Sequence, residues 1–188
     1  MNYLQEIREF VPACEQEAGD KKIILEYISK YPDTILTRQC ELAHLTASSM
    51  IFNPAGDKVL MIYHNIYKSW SWTGGHADGQ DDMLAVALRE AKEETGVCQL
   101  KVLTETACSL DILPVWGHVK QGSYVSSHMH LNLAYLFQAE ETEELRMKED
   151  ENSGVAWIPT DRLREFVTEP DMIPVYEKLI QYKKAGAL

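Results

Sequence analysis

Residues 75–97 read GHADGQDDMLAVALREAKEETGV, directly after a further glycine, Gly74. Leu84, Ala87, Leu88 and Ala91 recur at helical spacing, which predicts an amphipathic helix over residues 82–95 that Gly96 ends. On that helix Glu90 and Glu94 share one face, and Glu93 lies one turn on from Glu90. Three carboxylates at a helix C-terminus repel one another and the negative end of the helix dipole. Arg89 and Lys92 offset part of this charge. A hard divalent cation with oxygen ligands relieves the rest, and Mg²⁺ takes a few carboxylates, waters and substrate phosphates. Taken alone, a solvated Glu-rich helix face accounts for these residues equally well.

Outward from the helix the texture is mostly strand. Residues 45–52 are rich in strand formers and end in the turn cluster Asn53, Pro54, Ala55, Gly56, Asp57. Residues 58–63 (KVLMIY) follow as a buried strand, so the two form a hairpin. Trp70 and Trp72 alternate with Ser69, Ser71 and Thr73 as another short strand before the double glycine. Downstream, strands are expected at about residues 99–106 and 124–139, with a loop carrying Pro114, Gly117 and Gly122 between them. A last short strand covers residues 154–158, and helices follow from Thr160 and over residues 171–184. Residues 1–40 read as helical, with Asp20 as a cap and Tyr31, Pro32 and Asp33 as a stop. Strands interleaved with few helices predict an α/β sandwich.

The segment matches the Nudix box, G-x5-E-x7-R-E-U-x-E-E-x-G-U, where U is a bulky aliphatic. Gly75, Arg89, Glu90, Glu93, Glu94, Gly96 and Val97 fall in register. Asp81 stands where the pattern has Glu, and Ala91 where it prefers a larger aliphatic. Trp72 before the glycines, and Trp157, Ile158 and Pro159 before a terminal helix, also resemble Nudix domains. The likeness runs from about Leu45 to Phe166, with residues 1–44 outside it. It implies a Nudix-type α/β/α sandwich of mixed sheets over residues 45–188 with a helical N-terminal appendage over residues 1–44, either a packing element or a lid.

The resemblance assigns Glu90 and Glu94 as the leading metal ligands, with Glu93 in support and the Gly75 carbonyl completing a site for Mg²⁺, with Mn²⁺ as an alternative ion. Arg89 becomes an orienting salt-bridge partner, and Asp81 the tie between loop and helix. The reaction it implies is attack of water on a phosphorus of a diphosphate. The general base comes from the box (Glu93) or from a later acidic loop, where Glu151 is the first choice and Glu149 the second. His128 and His130, one residue apart on an expected strand, face the same side and are candidate phosphate or substrate contacts. His64, Tyr67, Lys68 and Trp70 are candidate lining for a base or phosphate pocket, although Trp70 and Trp72 suit the core as well. Asp111 to Gln121 is an expected pocket rim. His76 is disfavoured as a ligand beside oxygen donors that suit Mg²⁺ better.

A net charge of −11 opposes binding of a nucleic-acid polymer through a basic face. A hydrophobic fraction of 45% over 188 residues supports one real core. Cys14, Cys40, Cys98 and Cys108 make no CxxC pair, which argues against a zinc site of that kind and for a reducing compartment. With no apolar run long enough for a membrane helix and no signal peptide, a cytoplasmic protein is expected. Its partner would be a small nucleotide, with a homodimer through the N-terminal helices as an option. Two alternatives stand beside the hydrolase: a Nudix-fold isoprenoid-diphosphate isomerase, whose cysteine and glutamate motifs are not found here, and a non-catalytic nucleotide-binding regulatory domain.

Overall fold

Ten consecutive buried residues make β1 (Ala43–Phe52) the axis of the protein. The computed structural model describes residues 1–120 and 122–186. β1 runs parallel to β9 (His128–Gln138) along its whole length, from Ala43 opposite Met129 to Phe52 opposite Gln138. On its other side β1 changes partner. Its first half pairs antiparallel with β4 (Thr73–His76), and its end with β2 (Lys58–His64) at Ile51 and Phe52. β2 also carries β3 (Ser69–Ser71) and β10 (Asn152–Pro159). β9 divides in the same way between β6 (Ser109–Val115) and the two-residue β5 (Lys101–Val102). These changes of partner split the mixed sheet into two curled halves.

Strand alternation then builds two cores, because successive side chains on a buried strand point to opposite faces. On one face Leu45, Ala47 and Ile51 meet Leu131, Leu133, Tyr135 and Phe137. This face is covered by α3 (Met83–Thr95), α2 (Glu15–Lys30) and α1 (Tyr3–Glu9), through residues such as Val86, Ile24 and Ile7. On the other face Met50, Phe52, Ala134 and Leu136 pack on Leu163 of α4 (Leu163–Phe166) and on Tyr176, Leu179 and Ile180 of α5 (Met172–Lys184). The result is the expected α/β/α sandwich.

The N-terminal helices share the core of the sheet: Ile7, Ile24 and Ile28, with Ile35 of the turn after α2, are all buried in it. Glu6 accepts hydrogen bonds from the Ala107 amide and the Tyr135 hydroxyl. α2 begins at Glu15, five residues before the expected cap. Asp20 lies inside it and accepts from the Ile112 amide instead.

Three strand readings change. Of the strand expected at about residues 99–106, only Lys101–Val102 pairs as one, in β5. The loop expected around Pro114 is the strand β6. Among the described residues it pairs only with β9, and an edge strand tolerates a residue with no N–H to donate. Residues 124–139 do not form one strand. β8 (Ser123–Val125) folds back on β7 (His118–Lys120) past Gly122, whose φ is 81°, and β9 starts afresh at His128. Gln121, the far end of the expected rim, lies outside the described residues. No helix among the described residues is long and apolar enough to cross a membrane.

Candidate active site

α3 is set in place at both ends. Its cap is Asp82, whose carboxylate accepts from the Ala85 amide at 3.0 Å, and Gly96 closes it in the left-handed region at φ 78°. The Asp81 carbonyl accepts from the Tyr3 amide at 2.9 Å. The loop before α3 is therefore held by the Asp82 cap and by the ion pair of Asp78 with Arg38 at 2.7 Å. Val86, Ala87 and Ala91 face the core, which turns Glu90 and Glu94 toward β4.

β4 explains the double glycine. A Cβ on Gly75 would overlap the Glu90 carboxylate, and one on Gly74 would overlap the Ser48 side chain. With no Cβ there, Glu90 lies directly on the strand. Glu94 is 2% exposed and accepts the Gly74 amide proton at 2.9 Å. Arg89 reaches Glu90 at 2.9 Å.

The loop before β10 closes the group. Lys148 bridges Glu93 at 3.1 Å and Glu151 at 3.0 Å, and Lys120 stands 3.7 Å from the other oxygen of Glu151. Buried Asn152 donates to the Glu94 carbonyl at 3.0 Å, which anchors the loop to the end of α3. Glu149 is exposed and offers only its backbone carbonyl, to the Asn65 amide.

The electrostatics are those of crowded acids. Burial raises the Glu94 pKa well above the ordinary carboxylate range. The Gly74 N–H opposes this, and Glu151 and Glu90 add to it. Burial also raises Glu90, against the pull of Arg89 and Lys148 and with the repulsion of Glu93 and Glu151. Burial pulls the Lys148 pKa down, but the Glu151 and Glu93 carboxylates hold it above its usual value. Four carboxylates gathered from a helix and a distant loop, with the three cations Arg89, Lys120 and Lys148 paired to them, are a set of hard oxygen donors short of positive charge.

A family model described as NUDIX domain matches residues 42–179. The chain belongs to the NUDIX domain family. The enzyme class expected from the box, a Nudix-type pyrophosphohydrolase, follows from that membership. Among curated proteins, one described as a probable DHNTP pyrophosphohydrolase from Lactococcus lactis subsp. cremoris is 29% identical over 147 residues, covering 74% of this chain and 80% of that protein. Among solved structures, a C. elegans Ap4A hydrolase binary complex aligns with a TM-score of 0.54 at 18% identity, over 75% of this chain and 98% of the other. The NUDIX domain of Shewanella oneidensis NrtR, complexed with ADP ribose, aligns with a TM-score of 0.54 at 15% identity, over 81% and 96%. At these identities the structural likeness concerns the fold.

The other expected site residues of this Nudix chain fall into two places. Lys68, at φ 54°, is the last and the exposed residue of the otherwise half-buried turn between β2 and β3. Asn65 in that turn hydrogen-bonds the backbone of Glu149 and Glu151, so the turn sits beside the acidic loop. Trp70 is half-buried and packs edge-on to Tyr63 at 5.6 Å, with Gly154 of β10 against its ring. His128 and His130 lie with His44 and His76 on the sheet and make no hydrogen bond to the box carboxylates. Lys148, Asn152 and His44 were not singled out in the sequence. Lys148 had one local signal, its i, i+3 spacing to Glu151.

His64 gives the Nudix domain an acid-sensitive joint. Its Nδ1 accepts from the Ile66 amide at 3.2 Å, its ring stacks on Tyr67 at 4.4 Å, and burial lowers its pKa to about 4. A lowered histidine pKa stabilises the fold above the unfolded value of 6.5, and that stability is lost as pH falls toward about 4. The loss is on the order of 2–3 kcal/mol. His64→Asn should therefore flatten the fall of Tm with pH between these values; an unchanged slope would assign the acid sensitivity to other groups.

Proposed function

We propose that this Nudix enzyme is a Mg²⁺-dependent hydrolase that cleaves the diphosphate linkage in a nucleoside diphosphate joined to another moiety. The observation that carries the reading is the Lys148 bridge, which brings Glu151 from a distant loop against Glu93 of the box helix. Buried Glu90 and Glu94, with the more exposed Glu93 and Glu151 beside them, fit a hard divalent ion, which Nudix enzymes generally use. Glu90, Glu94, Glu93 and the Gly75 carbonyl would hold it. When bound, such an ion neutralises phosphate oxygens and lowers the pKa of the attacking water.

The protein's own groups position the rest. Glu151 takes the proton as water attacks phosphorus and the P–O bond of the anhydride breaks, with Glu93 as the alternative base. Arg89 keeps Glu90 aimed at the ion. Lys148 orients Glu151 and lies where charge develops on the phosphates. Lys68 and Trp70 are proposed to touch the substrate, the lysine at a phosphate and the indole at a base. The free thiols fit a reducing, cytoplasmic setting.

A phosphate-release screen with Mg²⁺ tests the reading, over ADP-ribose, sugar nucleotides, dinucleoside polyphosphates, and normal and oxidised nucleoside triphosphates. Isopentenyl diphosphate is added for the isomerase alternative, with conversion to its allylic isomer followed directly. Cleavage of one class supports the hydrolase and names its substrate. A silent panel with tight, metal-dependent ligand binding would favour a non-catalytic nucleotide-binding domain. Within an active panel, Glu151→Gln should lower kcat about a hundredfold or more while Mn²⁺ affinity changes little. Unchanged kcat would move the base to Glu93.

A further inference from the structure

Four histidines meet on three neighbouring strands: His44 on β1, His76 on β4, and His128 and His130 on β9. His44 pairs in register with His130. Ring centroids are 5.0 Å apart for His44 and His76, 4.9 Å for His44 and His128, and 4.9 Å for His76 and His130. One nitrogen from each ring lies within 4.8 Å of all the others.

The hydrogen bonds around the rings decide which nitrogens face inward as lone pairs. His44 Nδ1 is 3.1 Å from the Cys40 carbonyl, and His128 Nδ1 is 2.8 Å from the Ser126 carbonyl. A carbonyl only accepts, so each Nδ1 is the donor, which in the neutral ring leaves Nε2 as the lone-pair nitrogen. His128 Nε2 lies 3.3 Å from His130 Nε2. His44 is 4% exposed, and its Nε2 has no hydrogen-bond partner among the described residues. An unsatisfied buried ring nitrogen beside three other imidazoles calls for an unseen partner or ion.

We propose that His44, His76, His128 and His130 form a second metal site that takes a borderline divalent transition metal, with Zn²⁺ as the type, separate from the box carboxylates. The donor set is four imidazole nitrogens, which suit Zn, Cu, Fe or Ni and not Mg²⁺. A tetrahedral Zn²⁺ with Zn–N bonds of about 2.0–2.1 Å holds its nitrogens about 3.3 Å apart. The His128–His130 pair already shows that spacing. The carbonyls behind His44 and His128 are the outer contacts that orient metal-bound imidazoles. His76 and His130 are half-buried and give a way in. The nearby cation Arg38 is paired with Asp78.

The two sites sit on opposite sides of β4. Neighbouring residues of a strand point opposite ways, so Gly75 faces Glu90 while His76 faces the other histidines. An ion at the histidines would pin β4 to β1 and β9 without sharing a ligand side chain with the carboxylates.

The test is metal binding on the whole chain after chelator treatment, with Zn²⁺ titrated against a chromophoric competitor and Co²⁺ followed in the visible. Wild type should bind one tight equivalent of Zn²⁺, and the Co²⁺ form should show the intense bands of four-coordination. His128→Gln with His130→Gln should weaken Zn²⁺ by at least about 100-fold. Glu90→Gln with Glu94→Gln should leave that equivalent in place. Should the histidine variant misfold, histidine ¹⁵N spectra of wild type serve instead, with Zn²⁺ expected to shift one nitrogen of each of the four rings. Zn²⁺ bound equally well without His128 and His130 in a folded variant, lost with the two glutamates, or leaving the four rings unmoved would overturn the site.

Discussion

Glu94→Gln is expected to lose at least about a thousandfold in metal-dependent turnover while the fold keeps its stability. Both halves follow from one environment. Glu94 is 2% exposed, and its carboxylate accepts the Gly74 amide proton at 2.9 Å. A glutamine places an oxygen in the same position, so the bond that ties α3 to β4 survives. Burial raises the Glu94 pKa well above the usual range, with the charges of Glu151 and Glu90 adding to it. The buried anion is therefore a cost to the metal-free protein, and a neutral isostere removes that cost. What disappears is the anionic ligand that an ion would need to stay beside Glu90. The check pairs turnover with thermal unfolding in metal-free buffer: an unchanged or higher Tm with activity at the detection limit is the expected pattern. Near-wild-type turnover would remove Glu94 from the proposed metal site, and a collapse of Tm would make its role structural.

The largest effect on stability is expected at Lys178, far from the box. Its ammonium on α5 lies 2.9 Å from Glu17 of α2 and 2.7 Å from Asp111 of β6. Those carboxylates are 1% and 2% exposed. Their other contacts are the Ala13 amide and the Ser109 hydroxyl. Lys178→Met keeps the aliphatic stem and deletes the only cation among the described residues that an ion pair joins to these two anions. Breaking a buried ion pair from one side costs about 3–5 kcal/mol, because the remaining charge stays desolvated. In a chain of this size that is a fall in Tm of about 10 °C. Glu17→Gln and Asp111→Asn on the Lys178→Met background should recover part of the loss. A change below about 1 kcal/mol in urea unfolding would show the cluster to be solvated in solution.

The two predictions mark different depths of legibility. Glu94 was readable because its surroundings are local. A period of 3.6 placed Glu90 and Glu94 on one face, Gly96 ended the helix, and the spacing from Gly75 to Val97 identified the box. The strand β2 and the helix α5 were readable for the same reason, each being a continuous run with clear stops. β6 was not, since Pro114 reads locally as a break and becomes tolerable only at the edge of a sheet that other strands create. The long strand expected over residues 124–139 failed for a related reason. After Gly122 no glycine or proline interrupts residues 123–139, and only the β7–β8 pairing shows where the chain turns back.

The sequence by itself determined the box helix, its closing Gly96, the clustering of Glu90, Glu93 and Glu94 and the family, because helix period and glycine spacing are properties of neighbouring residues. Only the tertiary structure decided that Lys148 joins Glu93 to Glu151, that Lys178 lies between Glu17 and Asp111, and that His44 meets His128 and His130. Those contacts depend on the register of β1 against β9 and on how the helices cover each face. Register is a cooperative outcome of packing the whole core, and no local stretch of chain encodes it.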